Sequence, residues 1–147
     1  MLQEGCYKVA FFRQICRMPQ FRFSKTERLK SRKLIEQAFS EGKSFAVFPL
    51  RLVYVKAELP EDSGPVQVGF TVPKRAFRSA VRRNRIKRQM REAFRLKKNI
   101  LQESLADTTA QFAWMILYTA KEPLPYAQIE EAMGKLMRRF LKVIPGP

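Results

Sequence analysis

The sequence predicts a single α+β domain in which helices cover one β-sheet. Its 147 residues are enough for one domain and leave little room for two. Hydrophobic residues make up 46% of the chain and charged residues 29%, a balance typical of a globular fold with one buried core. The hydrophobic periodicity runs in the order helix, two or three strands, helix, strand, helix. This order indicates an α-β sandwich with a βαβ unit around the central helix.

The first helix is expected at about residues 31–41. Residues 24–27 have the S-x-x-E pattern of a capping box, which marks the beginning of many helices. Gly42 follows as a typical helix end. The apolar face of this helix comprises Leu34, Ile35, Ala38 and Phe39.

Three stretches have the composition or the alternation of β-strands, namely residues 50–56, residues 66–72 and residues 112–119. The turn-forming residues 60–65 predict that the first two strands pair as a hairpin with a loose loop. Residues 45–48 predict a short edge strand that stops at Pro49, because proline lacks the backbone donor that a central strand needs.

Two further helices are expected. The central helix covers about residues 82–101, and the last helix follows the strand at 112–119. The last helix carries an apolar stripe formed by Ile129, Met133, Leu136, Met137 and Phe140.

The N-terminal residues 1–21 are expected to form a flexible basic extension, and residues 22–143 the folded domain. Cys6 and Cys16 lie in this extension, where they cannot form a zinc site alone, and we interpret them as reduced thiols of a cytoplasmic protein. Lys8 and Arg13 interrupt the apolar run near the N-terminus, so neither a secretion signal nor a membrane span is expected.

The charge balance is the unusual feature of the composition. The chain has 29 lysines and arginines against 13 aspartates and glutamates, a net charge of +16, which predicts a polyanionic partner. It has no histidine, which excludes the Ser-His and Cys-His nucleophile pairs and most zinc sites. The composition therefore favours a binding protein over a self-sufficient enzyme.

Most of the surplus charge lies between residues 74 and 98, where twelve basic residues face the single acid Glu92, a net +11. At about 100° per residue, one side of the central helix is apolar and the other is basic. The apolar side comprises Ile86, Met90, Ala93, Phe94 and Leu101. The basic side comprises Arg85, Lys87, Arg88, Arg91, Arg95 and Lys98, with Asn84 in its middle. Arg82 and Arg83 are expected at or before the beginning of the helix.

A basic face of a single sign is typical of polyanion binding, because solvated faces normally mix both signs. Arginine, which dominates here, grips phosphate through two-point contacts. A membrane surface is a poorer partner, since the opposite face has the character of a core rather than of an insertion wedge. The prediction is binding to RNA or DNA.

The run AVRRNRIKRQMRE at residues 80–92 resembles the RNR signature of the bacterial ribonuclease P protein component. The resemblance extends in the right order from about Arg22 to Phe140. It includes RLK at residues 28–30, Ala38 and Phe39 with Gly42, and VGFTVPKR at residues 68–75.

The resemblance implies an α-β sandwich of order αβββαβα with a left-handed βαβ crossover around the RNR helix, the fold of the second domain of a small-subunit ribosomal protein. It implies the protein subunit of ribonuclease P, a cytoplasmic endoribonuclease for tRNA 5′ maturation. The implied partners are the catalytic RNA, bound by a monomer in a 1:1 complex, and precursor tRNA. The RNA would carry the hydrolytic chemistry and hold the Mg²⁺, with no catalytic residue, metal site or cofactor on the protein itself.

The resemblance also implies the RNA-binding residues. These are Lys74, Arg75, Arg82, Arg83, Asn84, Arg85, Lys87, Arg88 and Arg91. At the turn before the helix, this chain has Arg78 and Ser79 where Gly-Asn is frequent.

A cleft between the first helix and the sheet would receive the single-stranded 5′ leader of precursor tRNA. Its residues here are Ile35, Phe39, Arg51 and Val53. Ile35 stands where an aromatic residue is common, and Val53 where a tyrosine can occur, unless a register shift brings Tyr54 to that place. The alternative interpretation of Phe39 is ordinary core packing, and its exposure distinguishes the two.

Two other function classes fit the composition. A structural RNA-binding protein, such as a ribosomal protein, would have much the same size and charge. A metal-dependent nuclease would need clustered carboxylates, for which the pairs Glu61-Asp62 and Glu130-Glu131 are the candidates, although both are more naturally solvated charges.

Overall fold

The computed structural model describes residue 23 and residues 25–60, 63–106 and 108–144. The predicted extension at residues 1–21, with both cysteines, lies outside these residues. After a 3₁₀ turn at Lys25–Glu27, the elements are α1 (Arg32–Glu41), β1 (Lys43–Val47), β2 (Leu50–Lys56), β3 (Val66–Thr71), α2 (Ala80–Lys97), α3 (Asn99–Ser104), β4 (Phe112–Tyr118) and α4 (Tyr126–Val143).

The four strands form one sheet in the order β1-β2-β4-β3. Strand β2 pairs antiparallel with both β1 and β4, and β3 pairs parallel with β4. The connection from β3 through α2 to β4 is therefore the predicted βαβ unit, and the α+β class is confirmed.

The predicted hairpin between β2 and β3 is wrong, because β4 lies between them. Strand β4 has the sequence FAWMILY and is buried along nearly all of its length on both faces, which suits a central strand. The turn-forming residues before β3 therefore connect two strands that are not neighbours in the sheet.

The central helix differs from the prediction at both ends. It begins at Ala80 rather than at residue 82, and the predicted helix up to residue 101 is divided at Lys98. The carbonyl of Lys98 accepts from the amides of both Leu101 and Gln102, each at 3.0 Å, so the chain tightens there before α3 continues.

The larger core lies between the sheet and the two 18-residue helices α2 and α4. Trp114, the only tryptophan of the chain, is fully buried at its centre, with its ring 4.6 Å from that of Phe140. The apolar faces predicted for both helices are confirmed, since every predicted member is buried.

Among the described residues, α1 is the one helix that covers the opposite face of the sheet. A small cluster forms there from Leu29, Ala38, Val53, Ala113 and Met115. Gly69 leaves room for this layer, because a Cβ at that position would lie 2.5 Å from the sulfur of Met115.

The N-cap of α1 is Ser31, whose hydroxyl accepts a hydrogen bond from the amide of Leu34 at 3.4 Å. The S-x-x-E pattern at residues 24–27 therefore does not begin α1: Lys25–Glu27 forms a separate 3₁₀ turn, and the Glu27 carboxylate binds Lys98. Ser24 lies outside the described residues.

Both edges of the sheet are covered by other parts of the chain. At the β3 edge, the amide of Leu29 donates to the carbonyl of Val68 at 3.0 Å, and Gln67 donates to the carbonyl of Thr26. At the β1 edge, the Arg139 guanidinium donates to the carbonyl of Ala46 at 3.1 Å. Strand β1 occupies residues 43–47, close to the predicted 45–48.

Gly42→Ala should destabilise the fold by about 1–3 kcal/mol, because the position is overpacked by backbone. A Cβ at Gly42 would overlap the carbonyl oxygen of Ala38 and lie 2.8 Å from that of Tyr54. Chemical denaturation measures the change. Gly134→Ala is the matched control, since a Cβ there would meet only the end of Arg138 at 3.1 Å and Lys97 at 4.0 Å. We expect the control to be at least as stable as the wild type, because alanine favours a helix. Equal losses in both variants would contradict this reasoning.

Candidate nucleic-acid interface

The basic surface consists of the loop after β3 and one side of α2. The loop leaves the sheet at Thr71 and ends at Ser79, the N-cap of α2, which makes no side-chain capping bond. Instead, Nη1 of Arg83 donates to the carbonyls of Phe77 at 2.8 Å and Arg78 at 2.9 Å. Arg83 in the first turn thereby fixes the loop where Arg78 and Ser79 replace the frequent Gly-Asn.

Most of the predicted RNA-binding side chains are exposed together along this surface. The exposed members are Lys74, Arg75, Arg82, Asn84, Arg85, Arg88 and Arg91, and Arg83 and Lys87 are half-buried. Arg82 and Arg83 were expected at or before the beginning of the helix and lie in its first turn. The buried side of α2 holds the helix in one rotation, so these cations face outward as a set.

Three basic residues near the end of α2 are ion-paired within the protein. Arg95 Nε donates to Glu92 Oε2 at 3.0 Å, and this hydrogen bond lowers the pKa of the Glu92 carboxyl. Lys97 Nζ lies 3.8 Å from Glu130 of α4. Lys98, predicted on the basic side, is 2% exposed and binds Glu27, because the segment before α1 folds over it. The surface predicted to bind a polyanion is therefore confined to the loop and the part of α2 from Arg82 to Arg91.

Arg28 is a neighbour of this surface that the helical periodicity could not reveal. Burial lowers the pKa of the Arg91 guanidinium, and the positive charges of Arg28 and Arg88 lower it further. Arg28 lies in the segment before α1, which crosses the edge of β3 beside α2. Its only signal in the sequence is its place in the RLK motif at residues 28–30. Like charges held this close repel one another in the unbound protein and favour a polyanion between them.

A second surface lies between α1 and the sheet. Ile35 is half-buried against the small cluster, and Phe39 is 50% exposed, so the core-packing interpretation of Phe39 is wrong. Val53 is buried opposite Met115, on the same face of the sheet. Tyr54 belongs to the other face, with its ring 5.0 Å from that of Phe140, so the register shift that would bring it to this surface does not occur.

The face of the sheet that α1 covers also carries an exposed cation. Arg51 is exposed and donates to Oγ of Ser44 at 3.2 Å. Arg51 pairs with Leu117 of β4, and Leu117 pairs in turn with Thr71, the last residue of β3. The chain then reaches Lys74 three residues later, at the same end of the sheet. Of the four residues predicted for the leader cleft, Phe39 and Arg51 are thus exposed, Ile35 is half-buried and Val53 is buried.

The candidate carboxylates for a metal-dependent nuclease are engaged with cations. Glu130 lies near Lys97, and Glu131 pairs with Lys135 at 2.9 Å, which lowers the pKa of Glu131. Glu61 and Asp62 lie outside the described residues. Within the part of the chain that the structure describes, no three acidic side chains are grouped to hold a metal ion. None of the helices described is both long and apolar enough to cross a membrane.

Comparison with known proteins identifies the same family that the RNR signature indicated. Residues 23–141 match the family model described as Ribonuclease P. The chain belongs to the ribonuclease P protein family. The ribonuclease P protein component of Porphyromonas gingivalis strain W83 is 39% identical over 130 residues, which cover 87% of this chain and 93% of the relative.

Solved structures of ribonuclease P proteins have the same fold. The protein from Thermotoga maritima superposes with a TM-score of 0.61 at 25% identity, over 82% of this chain and 99% of that one. The Staphylococcus aureus protein, at 21% identity and a TM-score of 0.58, covers 81% of this chain and 98% of its own, and shows the shared fold. A ribonuclease P protein component is part of an endoribonuclease holoenzyme, and its family partner is the ribonuclease P RNA.

Proposed function

We propose that this chain binds the catalytic RNA of ribonuclease P through the loop at residues 74–78 and the basic side of α2. The RNA-contacting side chains are those predicted above, from Lys74 and Arg75 to Arg91. One observation carries the proposal: after internal ion pairing of Arg95, Lys97 and Lys98, the remaining cations form a continuous surface of one sign. Such a surface is electrostatically unfavourable until phosphate neutralises it.

The cleft between α1 and the sheet is assigned to the 5′ leader of precursor tRNA. Unpaired bases stack on aromatic rings beside positive charge, and Phe39 supplies the exposed ring while Arg51 supplies the charge. Ile35 contributes the aliphatic surface beside them, whereas Val53 lies buried beneath it in the small cluster. Binding of the leader beside the catalytic RNA would assist cleavage at the 5′ end of the tRNA.

The RNA is assigned the hydrolytic step and the Mg²⁺ ions, and the protein acts as one copy per RNA in the cytoplasm. Supporting this assignment, Glu130 and Glu131 face lysines rather than a common centre. The protein would lower the Mg²⁺ demand of the RNA by neutralising phosphate charge.

Addition of the protein should strongly stimulate multiple-turnover cleavage of precursor tRNA by its cognate catalytic RNA at low Mg²⁺. The physical reason is that α2 supplies fixed positive charge where Mg²⁺ would otherwise screen phosphates. Initial rates with and without protein measure the effect, and protein without RNA is the control. Efficient, accurate cleavage by the RNA-free protein would contradict the assignment of chemistry to RNA. Tight binding without stimulation would favour a structural RNA-binding protein.

Arg88→Ala should reduce the slope of log K against log[salt] for catalytic RNA by about one unit, because one phosphate contact is lost. Arg95→Ala is the matched control: it removes the same charge from the same helix face, but from a side chain that Glu92 already neutralises. Its slope should stay close to that of the wild type. Equal loss of slope in both variants would show that the RNA surface extends beyond the proposed boundary.

Phe39→Ala should cost about 1–2 kcal/mol of affinity for precursor tRNA with a leader of several nucleotides, because one base loses its stacking surface. Precursors with a one-nucleotide leader should bind the variant and the wild-type holoenzyme equally. Phe39→Trp should restore the leader-dependent affinity. Binding titrations with both substrates measure the difference. A loss of the same size on both substrates would exclude Phe39 as a leader contact.

A further inference from the structure

Lys98 and Glu27 form a buried ion pair between residues 71 positions apart in the sequence. The ammonium Nζ of Lys98 lies 3.1 Å from Oε1 and 3.2 Å from Oε2 of Glu27. The two side chains are 2% and 15% exposed. Buried ion pairs contribute little net stability, because desolvation offsets their attraction, but they specify one arrangement of the groups they join.

This ion pair joins the end of α2 to the chain before α1, which is described at residue 23 and residues 25–29. Phe23 packs its ring 6.0 Å from that of Phe70 and 5.7 Å from that of Phe94. Leu29 is held to β3 by its amide hydrogen bond to Val68. The segment is thus fixed at its beginning, at Glu27 and at its end.

Arg28 lies between two of these fixed points. Its guanidinium carbon is 5.6 Å from the centre of the Phe23 ring, and its neighbours Glu27 and Leu29 are bonded to α2 and β3. The charge of Arg28 acts on Arg91, which also feels Arg88. The ring of Phe23 that Arg28 covers also packs on Phe94, three residues after Arg91 in α2, so this stacking brings Arg28 to the part of the helix that carries Arg91.

We propose that the Lys98–Glu27 ion pair is a positioning device that holds Arg28 beside Arg91 and Arg88, so that the three arginines together bind the phosphate backbone of RNA. The inference rests on the RNA binding proposed above. A phosphodiester is the fitting ligand, because a planar guanidinium makes paired hydrogen bonds to phosphate oxygens. Glu27 and Lys98 act through Arg28 and do not touch the RNA.

The decisive variant is Glu27→Gln, because it separates positioning from simple electrostatics. It raises the net charge of the protein by one, so nonspecific attraction alone would tighten RNA binding. If the ion pair positions Arg28, affinity for the catalytic RNA should instead fall by about fivefold to tenfold. The slope of log K against log[salt] should decrease by up to about one unit. Lys98→Arg, which preserves the charge, should keep most of the affinity.

Two controls distinguish this role from a general loss of structure. Glu131→Gln makes the same change of charge by breaking the exposed pair with Lys135, and its RNA affinity should match or exceed that of the wild type. The fluorescence of the buried Trp114 reports whether the core of each variant is intact. Hydrogen exchange at the Leu29 amide, measured without RNA, should become faster in Glu27→Gln than in the wild type.

The double variant Arg28→Ala, Glu27→Gln tests the proposed route. Its RNA affinity should be close to that of Arg28→Ala alone, since the ion pair would have nothing left to position. Additive losses would overturn the inference, as would RNA binding by Glu27→Gln as tight as that of the wild type. Failure of the wild-type protein to bind the catalytic RNA would overturn the proposed function, and this inference with it.

Discussion

The packing of α2 on the sheet is the constraint on which the rest of the structure depends. This helix must bury Ile86, Met90, Ala93 and Phe94 while it carries many like charges on its other side. The charges repel one another, so the buried side provides the stabilisation that keeps the helix in place. Burial also fixes the rotation of the helix and thereby decides which cations face outward. The connection from β3 to β4 then sets the position of the preceding loop.

In the described part of the chain, the acidic residues that pair with cations of α2 and its C-cap are found only near the end of this helix. Glu92, Glu130 and Glu27 each pair with a cation in its last turns, whereas its first turn contains no acid at all. The positive end of the helix dipole also lies at that first turn. Charge and dipole therefore add at the beginning of α2 and are neutralised toward its end. This gradient concentrates the attraction for a polyanion near Arg82, Arg85 and the loop before them.

Periodic features of the sequence predicted most of the fold. The apolar faces of α2 and α4 and the positions of β2, β3 and β4 follow from local patterns, and the structure has them within a few residues. The order of the strands was predicted less well. The turn-forming residues 60–65 predicted a hairpin of β2 and β3, but they carry no information about β4, which lies between these two strands. Strand β4 takes the central place because both of its faces are apolar.

Sequence patterns predicted which basic side chains of α2 are exposed, because that depends on one helix. They did not predict contacts between two separate segments of the chain. The phase of the helix identified the outward arginines of α2, but the same phase placed Lys98 among them. A contact between Glu27 and Lys98 leaves no periodic trace in the sequence, so neither the burial of Lys98 nor the approach of Arg28 could be read from it. The exposure of Phe39 similarly depends on how much of the sheet α1 covers.

Unequal coverage of the two faces of the sheet explains why the molecule has two surfaces for RNA in the proposed function. Within the part of the chain that the structure describes, two helices of 18 residues cover one face, and one helix of ten residues covers the other. On the face that the shorter helix covers, Arg51 stays exposed in the same register row as Leu117. That row ends at Thr71, where the chain enters the basic loop. In the proposed function, the leader surface around Arg51 and the arginine surface would therefore meet at one end of the sheet, so a single strand bound there would be held in a fixed relation to an RNA bound along α2.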